Sequence, residues 1–284
     1  MRHFDLAIIG TGSGNSIPEE LSDWSIAILE EGVFGGTCLN VGCIPTKMFA
    51  YPADVAQMAR TSEHINVRGN AEIDFAALQE RVFAETIDPI AAGGEHYRRE
   101  ECGNISVYSG RASLHSTDPD GIIIDTGTGE RICARQVLLA AGARPAAPAV
   151  VENTEYYTNE TIMRIPTLPQ RLLIMGSGYI GCEFAHIFAA AGSRVTITGR
   201  SDVLLKHQDR DIAETFTEAA RERWDVRLGV EITELHSDDG VITATFSDGA
   251  SVQADALLVA TGRTPNGDRV DAAAIGIELD GTRV

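Results

Sequence analysis

The chain has 284 residues, five of them cysteine, with 44% hydrophobic content and a formal net charge of −18. That acidic balance, with a pI near 4.7, excludes a nucleic-acid surface, because phosphate backbones are held by clustered Lys and Arg. No apolar run reaches the roughly 18 residues of a membrane span, so a soluble protein of about two domains, with a small-molecule partner and no membrane partner, is expected.

The amino terminus, Met1-Arg2-His3-Phe4-Asp5, leads straight into a strand with no secretory signal, which points to a cytoplasmic location. "FDLAIIG", residues 4–10, has an apolar strand pattern. It is followed by "TGSGN", an expected short helical stretch through Trp24, and a second strand "SIAILEE". Gly10 allows a tight turn and Gly12 the close approach of a pyrophosphate to a helix N-terminus, while Asn15 stands at the third glycine position. Glu30, twenty residues beyond Gly10 at the end of the next strand, is placed to accept from a ribose hydroxyl.

Residues 35–47, "GGTCLNVGCIPTK", hold Cys38 and Cys43 five positions apart. In a regular helix five residues rise about 7.5 Å, beyond the roughly 4.4–6.8 Å between Cα atoms that a disulfide tolerates. The segment must therefore bend if the two sulfurs are to meet, and Gly35, Gly36 and Gly42 supply the freedom. Pro45 suits the first turn of a helix starting near Cys43, which places Cys43 where the macrodipole lowers a thiol pKa. Against a zinc site stands the lack of a four-ligand cluster, since His64 and Cys102 belong to none. Against a structural staple stand the chain's length and few cysteines. Cys102, Cys133 and Cys182 are scattered singly and are expected to be buried apolar thiols.

Between residues 48 and 135, "FAALQERVFAETIDPIAAGGEHYRRE" has helical period, and "NISVYSGRASLHS" followed by "GIIIDTG" suggests strands with turns. His64, His96, His115, His186 and His207 show no pairing in sequence and are expected at the surface or in packing. Two strand-end phrases, "QVLLAAGARP" and "ALLVATGRTPN", mark where the chain leaves and re-enters a nucleotide domain, with "AAPAV" as a linker. The expected domains are 1–147, 148–262 and a return segment 263–284.

The second opening is complete: strand "RLLIMG", Gly176, Gly178 and Gly181, helix "CEFAHIFAAAG" and strand "SRVTITG". Each opening is the start of a βαβ unit, which implies parallel, doubly wound sheets. At the end of the second unit's next strand stand Thr198-Gly199-Arg200, with Lys206 beyond and no acid at the ribose position. Arg can grip a 2'-phosphate through paired hydrogen bonds, so this site points to NADPH over NADH; the alternative is that Arg200 and Lys206 are solvated surface charges.

On "GGTCLNVGCIPTK" in register with both dinucleotide motifs, the chain resembles the FAD-dependent pyridine nucleotide-disulfide oxidoreductases. That group includes glutathione reductase, dihydrolipoamide dehydrogenase and mercuric reductase. The resemblance implies an α/β fold of two Rossmann-like dinucleotide-binding domains with parallel sheets, an FAD domain at 1–147 carrying the redox-active disulfide and an NADPH domain at 148–262. It implies the cofactors FAD and NADPH, a small-molecule disulfide substrate, no metal, and a homodimer in the full-length family. Hydride would pass from NADPH to the flavin, which would reduce a Cys38–Cys43 disulfide. Cys43 would be the thiolate beside the flavin, and Cys38 would attack the substrate through a mixed disulfide. Lys47 would lie by the flavin in a buried charge pair with Glu183; Glu183 as an ordinary surface carboxylate is the alternative. Tyr179 would cover the nicotinamide pocket and Thr37 would help hold the FAD pyrophosphate. Ser13, Gly14, Ala112, Gly142, Ile180 and Gly262 would complete the cofactor contacts.

Family members continue past residue 284 through a segment over the flavin and an interface domain with a catalytic His-Glu pair. The resemblance therefore implies little disulfide turnover by residues 1–284 alone, since a general acid or base contributes about 10²- to 10⁴-fold. The alternatives are a diaphorase-type nucleotide-binding chain, or a relative of dihydrolipoamide dehydrogenase or mercuric reductase.

Overall fold

The structure, a computed structural model, describes all residues from Met1 to Val284. Its α-helices are α1 (Gly36–Asn40), α2 (Cys43–Thr61), α3 (Phe75–Val82), α4 (Asp88–His96), α5 (Tyr179–Ala191) and α6 (Arg210–Arg221). The backbone falls into two compact units, one of residues 1–44, 84–144 and 263–284, the other of residues 45–83 and 145–262.

The first unit is built on a six-stranded sheet. Its spatial order is Ile105–Ser109, Ile26–Glu30, Arg2–Ile9, Arg131–Leu139, Gly121–Asp125 and Ser113–Asp118. The first four strands are parallel and the last two antiparallel. Ile26, Ala27, Ile28 and Leu29 are all buried, as a parallel strand covered on both faces must be, so its sequence is an apolar run rather than an alternation. Cores lie on both faces, with Ala27 and Leu29 in one and Ile26 and Ile28 in the other. The carboxyl ends align: the Gly10 amide donates to Leu29 O, the Ala140 amide to Ile9 O and the Gly110 amide to Glu30 O. In open parallel sheets that edge is where ligands bind.

The helical stretch expected between Gly12 and Trp24 is absent as an α-helix. Two 3₁₀ turns, Ser13–Asn15 and Glu19–Leu21, stand in its place. Pro18 between them donates no amide and disfavours helical dihedrals at Ile17. Residues 75–101 are helical almost throughout, as their period implies, with α3 and α4 joined and followed by the π-turns Phe83–Ile87 and Tyr97–Glu101.

The second unit has a four-stranded parallel sheet in the order Asp225–Leu228, Arg194–Gly199, Arg171–Met175 and Ala256–Val259. A three-stranded antiparallel sheet, Ile232–Asp238, Val241–Phe246 and Ser251–Ala254, shares a core with it through Leu173, Leu257, Ile242 and Ala244. The aromatic rings of Phe49, Phe75 and Phe188 join α2, α3 and α5, with centroids 5.7 Å and 5.5 Å apart; such pairs contribute about 0.5–1.5 kcal/mol each beyond their burial. Lys47 pairs with Glu183, Asp54 Oδ1 lies 2.7 Å from His186 Nε2, and Arg60 Nη1 donates to Ala190 O at 2.7 Å. Polar contacts thus lace α2 to α5 along its length. No helix is long and apolar enough to cross a membrane.

Candidate active site: two dinucleotide loops and a dithiol

In the first loop Gly10 has φ +102°, a conformation open to glycine and strained for other residues. The packing role of a third glycine falls to Gly14, one position early: a Cβ there would lie 2.6 Å from the Ala140 Cβ and 3.1 Å from Ile8 Cγ2. Gly12 faces Gly36 so closely that a Cβ on Gly36 would lie 2.5 Å from the Gly12 Cα. The first loop and the cysteine segment are therefore built against each other. Glu30, at its strand end as expected, is fixed by the loop itself. Its Oε2 accepts from the Thr11 amide at 2.9 Å and the Thr11 hydroxyl at 2.6 Å, and its Oε1 from the Gly32 amide at 2.8 Å. Thr11 Oγ1 in turn accepts from the Gly35 amide at 2.9 Å. The buried Thr11, which sequence reasoning passed over, thus links the Glu30 carboxylate to the start of the cysteine motif. Ala112 is buried behind this edge, whereas Ser13, Thr37 and Gly142 are exposed along it.

The bend demanded of the cysteine segment is made between α1 and α2, at Val41 and Gly42. A Cβ on Gly42 would meet Thr37 O at 2.8 Å. Asn40, also missed in sequence, holds the entry: its side-chain amide donates to Val33 O, Phe34 O and Gly36 O at 3.2, 3.0 and 3.1 Å. Both cysteines are exposed free thiols, near enough that Cys43 is the main influence on the Cys38 thiol. Cys43 opens α2 as expected, yet the amides of Cys43 and Ile44 at that helix start point to the Cys38 sulfur. The Cys38 thiol is pushed above its ordinary value, first by the hydrogen bond with the Cys43 thiol and then by desolvation, which together outweigh the two amides. Cys133 and Cys182 are buried as expected, and burial drives the Cys182 thiol up to about 12. Cys102 is only half buried. No group of three or more His, Cys, Asp or Glu is arranged to hold a metal ion.

In the second loop Gly176 has φ +132°. A Cβ on Gly181 would run into Gly176 O and lie 3.4 Å from Ile174 Cγ2, so α5 can approach the sheet only with glycine there. Gly178 caps α5 and has open space around it; Tyr179 comes next, 66% exposed, then Ile180. The Gly176 amide donates to Thr198 O as the Gly10 amide donates to Leu29 O, so Gly199 occupies the place that Glu30 has in the first unit. A Cβ on Gly199 would lie 2.6 Å from the Ser177 Cβ. The Ser177 side chain thus fills the space that a side chain at position 199 would take. Beyond it, Leu205 at φ +54° donates its amide to Ser177 O at 2.8 Å. That folds the Arg200–Lys206 segment back onto the dinucleotide loop. Arg200 and Lys206 are exposed, and Arg200 Nη1 is 3.8 Å from Glu231 Oε1. Gly262, at the exit from the second unit, is exposed and accepts from the Ala146 amide at 3.0 Å.

Lys47 and Glu183 do pair, but the pair is not buried: their side chains are 66% and 35% exposed. Pairs so placed contribute about 0–1 kcal/mol. Lys47→Met is therefore expected to lower stability by no more than about 1 kcal/mol, read from thermal unfolding. His186 is not the unpaired residue its sequence context suggests: Asp54 binds its Nε2, and Arg223 Nη2 lies 2.8 Å from its Nδ1.

Two Rossmann-type loops and a pair of exposed thiols at the bend between α1 and α2 define the class of fold and site. Residues 4–284 match the family model described as pyridine nucleotide-disulphide oxidoreductase, and the chain belongs to that family. It is 43% identical over 290 residues to mycothione reductase of Mycobacterium tuberculosis, covering all of this chain and 62% of that protein. It is 30% identical to glutathione reductase of Burkholderia cepacia, covering 98% and 62% respectively. Among solved structures it resembles the HOCl-induced flavoprotein disulfide reductase RclA of Escherichia coli, solved as a Cu(II) complex. That match has a TM-score of 0.85 and 27% identity, over all of this chain and 62% of that one. The chain thus spans about three fifths of the length of these relatives. By their names, the first two are reductases of mycothione and of glutathione, and the third is a flavoprotein disulfide reductase.

Proposed function

We propose that the protein is an NADPH-dependent FAD disulfide reductase of the mycothione reductase type, with FAD held by the first unit and NADPH by the second. The observation that carries this reading is the pair of neighbouring, exposed thiols, Cys38 in α1 and Cys43 at the start of α2, in a chain with two dinucleotide loops. Both loops fit their groups: Gly10 and Gly36 pack so closely that a Cβ on either would meet backbone, Gly12 is left open on its outer side, Glu30 presents its carboxylate at the strand end, and the α5 N-terminus opens on Gly176–Gly178. FAD supplies two-electron transfer between NADPH and the disulfide.

The protein's residues supply the rest. Tyr179 covers the nicotinamide side, Arg200 and Lys206 grip the 2'-phosphate, Ser13, Gly14, Thr37, Ala112 and Gly142 line the flavin nucleotide, and Ile180 and Gly262 line the second pocket. Cys43 holds the thiolate beside the flavin. Cys38 attacks a sulfur of the substrate disulfide, forming a mixed disulfide and releasing the first thiol. Cys43 then attacks Cys38, releases the second thiol and closes the Cys38–Cys43 bond. The net reaction converts NADPH, one proton and one disulfide into NADP⁺ and two thiols. The likeness to mycothione reductase favours mycothione as the disulfide and mycothiol as the product. A homodimer working in the cytoplasm, where thiols stay reduced, fits the same reading.

Anaerobic titration of the purified 284-residue chain with NADPH tests it. A bound-flavin spectrum that gains a long-wavelength band from the Cys43 thiolate, then loses it faster with mycothione than with glutathione disulfide, is the expected result. A chain that binds flavin and passes electrons from NADPH to quinones without that band would be a diaphorase, and the disulfide reading would fall.

A further inference from the structure

The two dinucleotide loops lead into different elements. The second runs directly into the 13-residue α5, whose N-terminal end carries about half a positive charge toward a bound phosphate. The first leads only into the 3₁₀ turns Ser13–Asn15 and Glu19–Leu21. Its amides are turned to local use, Asn15 N–H donating to Gly12 O at 3.0 Å and Ser16 N–H to Ser13 O at 3.1 Å. The potential that a full helix supplies is missing, and the Asn15 carbonyl has no further helical turn to bond it.

A side chain arrives there from 83 residues away in sequence. Arg98, on the π-turn Tyr97–Glu101, donates Nε to Asn15 Oδ1 at 3.0 Å and Nη2 to the Asn15 main-chain oxygen at 2.9 Å. Its third nitrogen, Nη1, lies 3.8 Å from Cys102 Sγ, and its guanidinium stacks over the Tyr97 ring at 5.4 Å. No carboxylate pairs with Arg98 among the ion pairs of the chain. A guanidinium stays ionised, so a half-buried and uncompensated positive charge sits against the last residue of the loop. The same geometry gives Asn15 a purpose: a glycine at the third position would offer Nε no side-chain oxygen.

We propose that Arg98 is the positioning residue of the first dinucleotide loop, taking the place of the absent helix by fixing Asn15 and supplying positive potential for the FAD pyrophosphate. The inference rests on the assignment of FAD to this loop. Binding of FAD to the flavin-free chain tests it, measured for wild type, Arg98→Met, Arg98→Lys and Asn15→Ala at low and high salt. NADPH affinity and thermal unfolding of the same flavin-free proteins are measured beside it. Arg98→Met should weaken FAD at least about tenfold, as expected for a lost charge-assisted fork, and flatten the salt dependence. NADPH affinity should stay unchanged, and unfolding should shift only slightly, by the loss of the two hydrogen bonds to Asn15. Arg98→Lys should recover part of the affinity, since it keeps the charge without the fork. Asn15→Ala should weaken FAD in wild type and add little on top of Arg98→Met. Unaltered FAD affinity in Arg98→Met overturns the inference, as does a loss shared equally by NADPH and by unfolding. If wild type itself binds no FAD, the cofactor assignment falls and the inference with it.

Discussion

Replacing either Cys38 or Cys43 with serine is expected to slow the single reoxidation of NADPH-reduced protein by a disulfide at least about a thousandfold, because removing a covalent nucleophile forfeits the whole exchange pathway. The two variants should differ in colour. Cys38→Ser leaves the Cys43 sulfur beside the flavin, so the long-wavelength band should persist and mycothione should no longer discharge it. Cys43→Ser should give no band with any amount of NADPH. Identical spectra for the two would sink the division of labour.

The pair also fixes a pH dependence. The hydrogen bond with the Cys43 thiol, followed by desolvation, holds the Cys38 thiol above its ordinary value of 9.0. A group whose folded pKa is raised contributes stability below its unfolded pKa and loses it as pH rises through the folded value. Alkylation of reduced Cys38 should therefore rise at a higher pH than for a free thiol. In Cys43→Ala the inflection should move down, because the largest of the raising influences is removed while desolvation still raises the thiol and the main-chain amides of residues 43 and 44 still lower it.

A second large effect is expected at the second nucleotide loop. Arg200→Glu should weaken NADPH by about 10- to 100-fold, the worth of one or two charge-assisted hydrogen bonds, while NADH holds or improves. Equal loss for both nucleotides would show that Arg200 does not meet the 2'-phosphate. Glu231 supplies a control, because its carboxylate lies 3.8 Å from Arg200. Glu231→Gln should tighten NADPH by about two- to fivefold, within the range of an exposed ion pair. The acid is better tried at position 200 than at 199, where a Cβ would lie 2.6 Å from the Ser177 Cβ.

Much of this was legible one residue at a time. The apolar strands ending at Gly10 and Gly176, the glycines that need positive φ, the acid at Glu30 and its lack in the second unit are dictated by local spacing and steric demand. Lys47–Glu183 was named by likeness to the family and does form, but in an exposed setting that sequence could not foresee, since burial is a property of the surrounding chain. The helix expected before Trp24 failed for a local reason, Pro18, whose weight against the motif was not apparent from the glycine pattern alone.

What the sequence by itself determined is the family's framework: two glycine loops and a pair of cysteines, written in residues whose spacing is short and whose backbone needs are severe. Only the tertiary structure decided which side chains hold those motifs in place. Thr11 joins Glu30 to Gly35, Asn40 gathers three carbonyls, Ser177 fills the space an acid would take beside Gly199, and Arg98 reaches Asn15 across 83 residues. The reason is physical: glycine turns and strand periods are set within a few residues, whereas a hydrogen-bond partner is chosen by whichever distant element the packed sheet brings within about 3 Å.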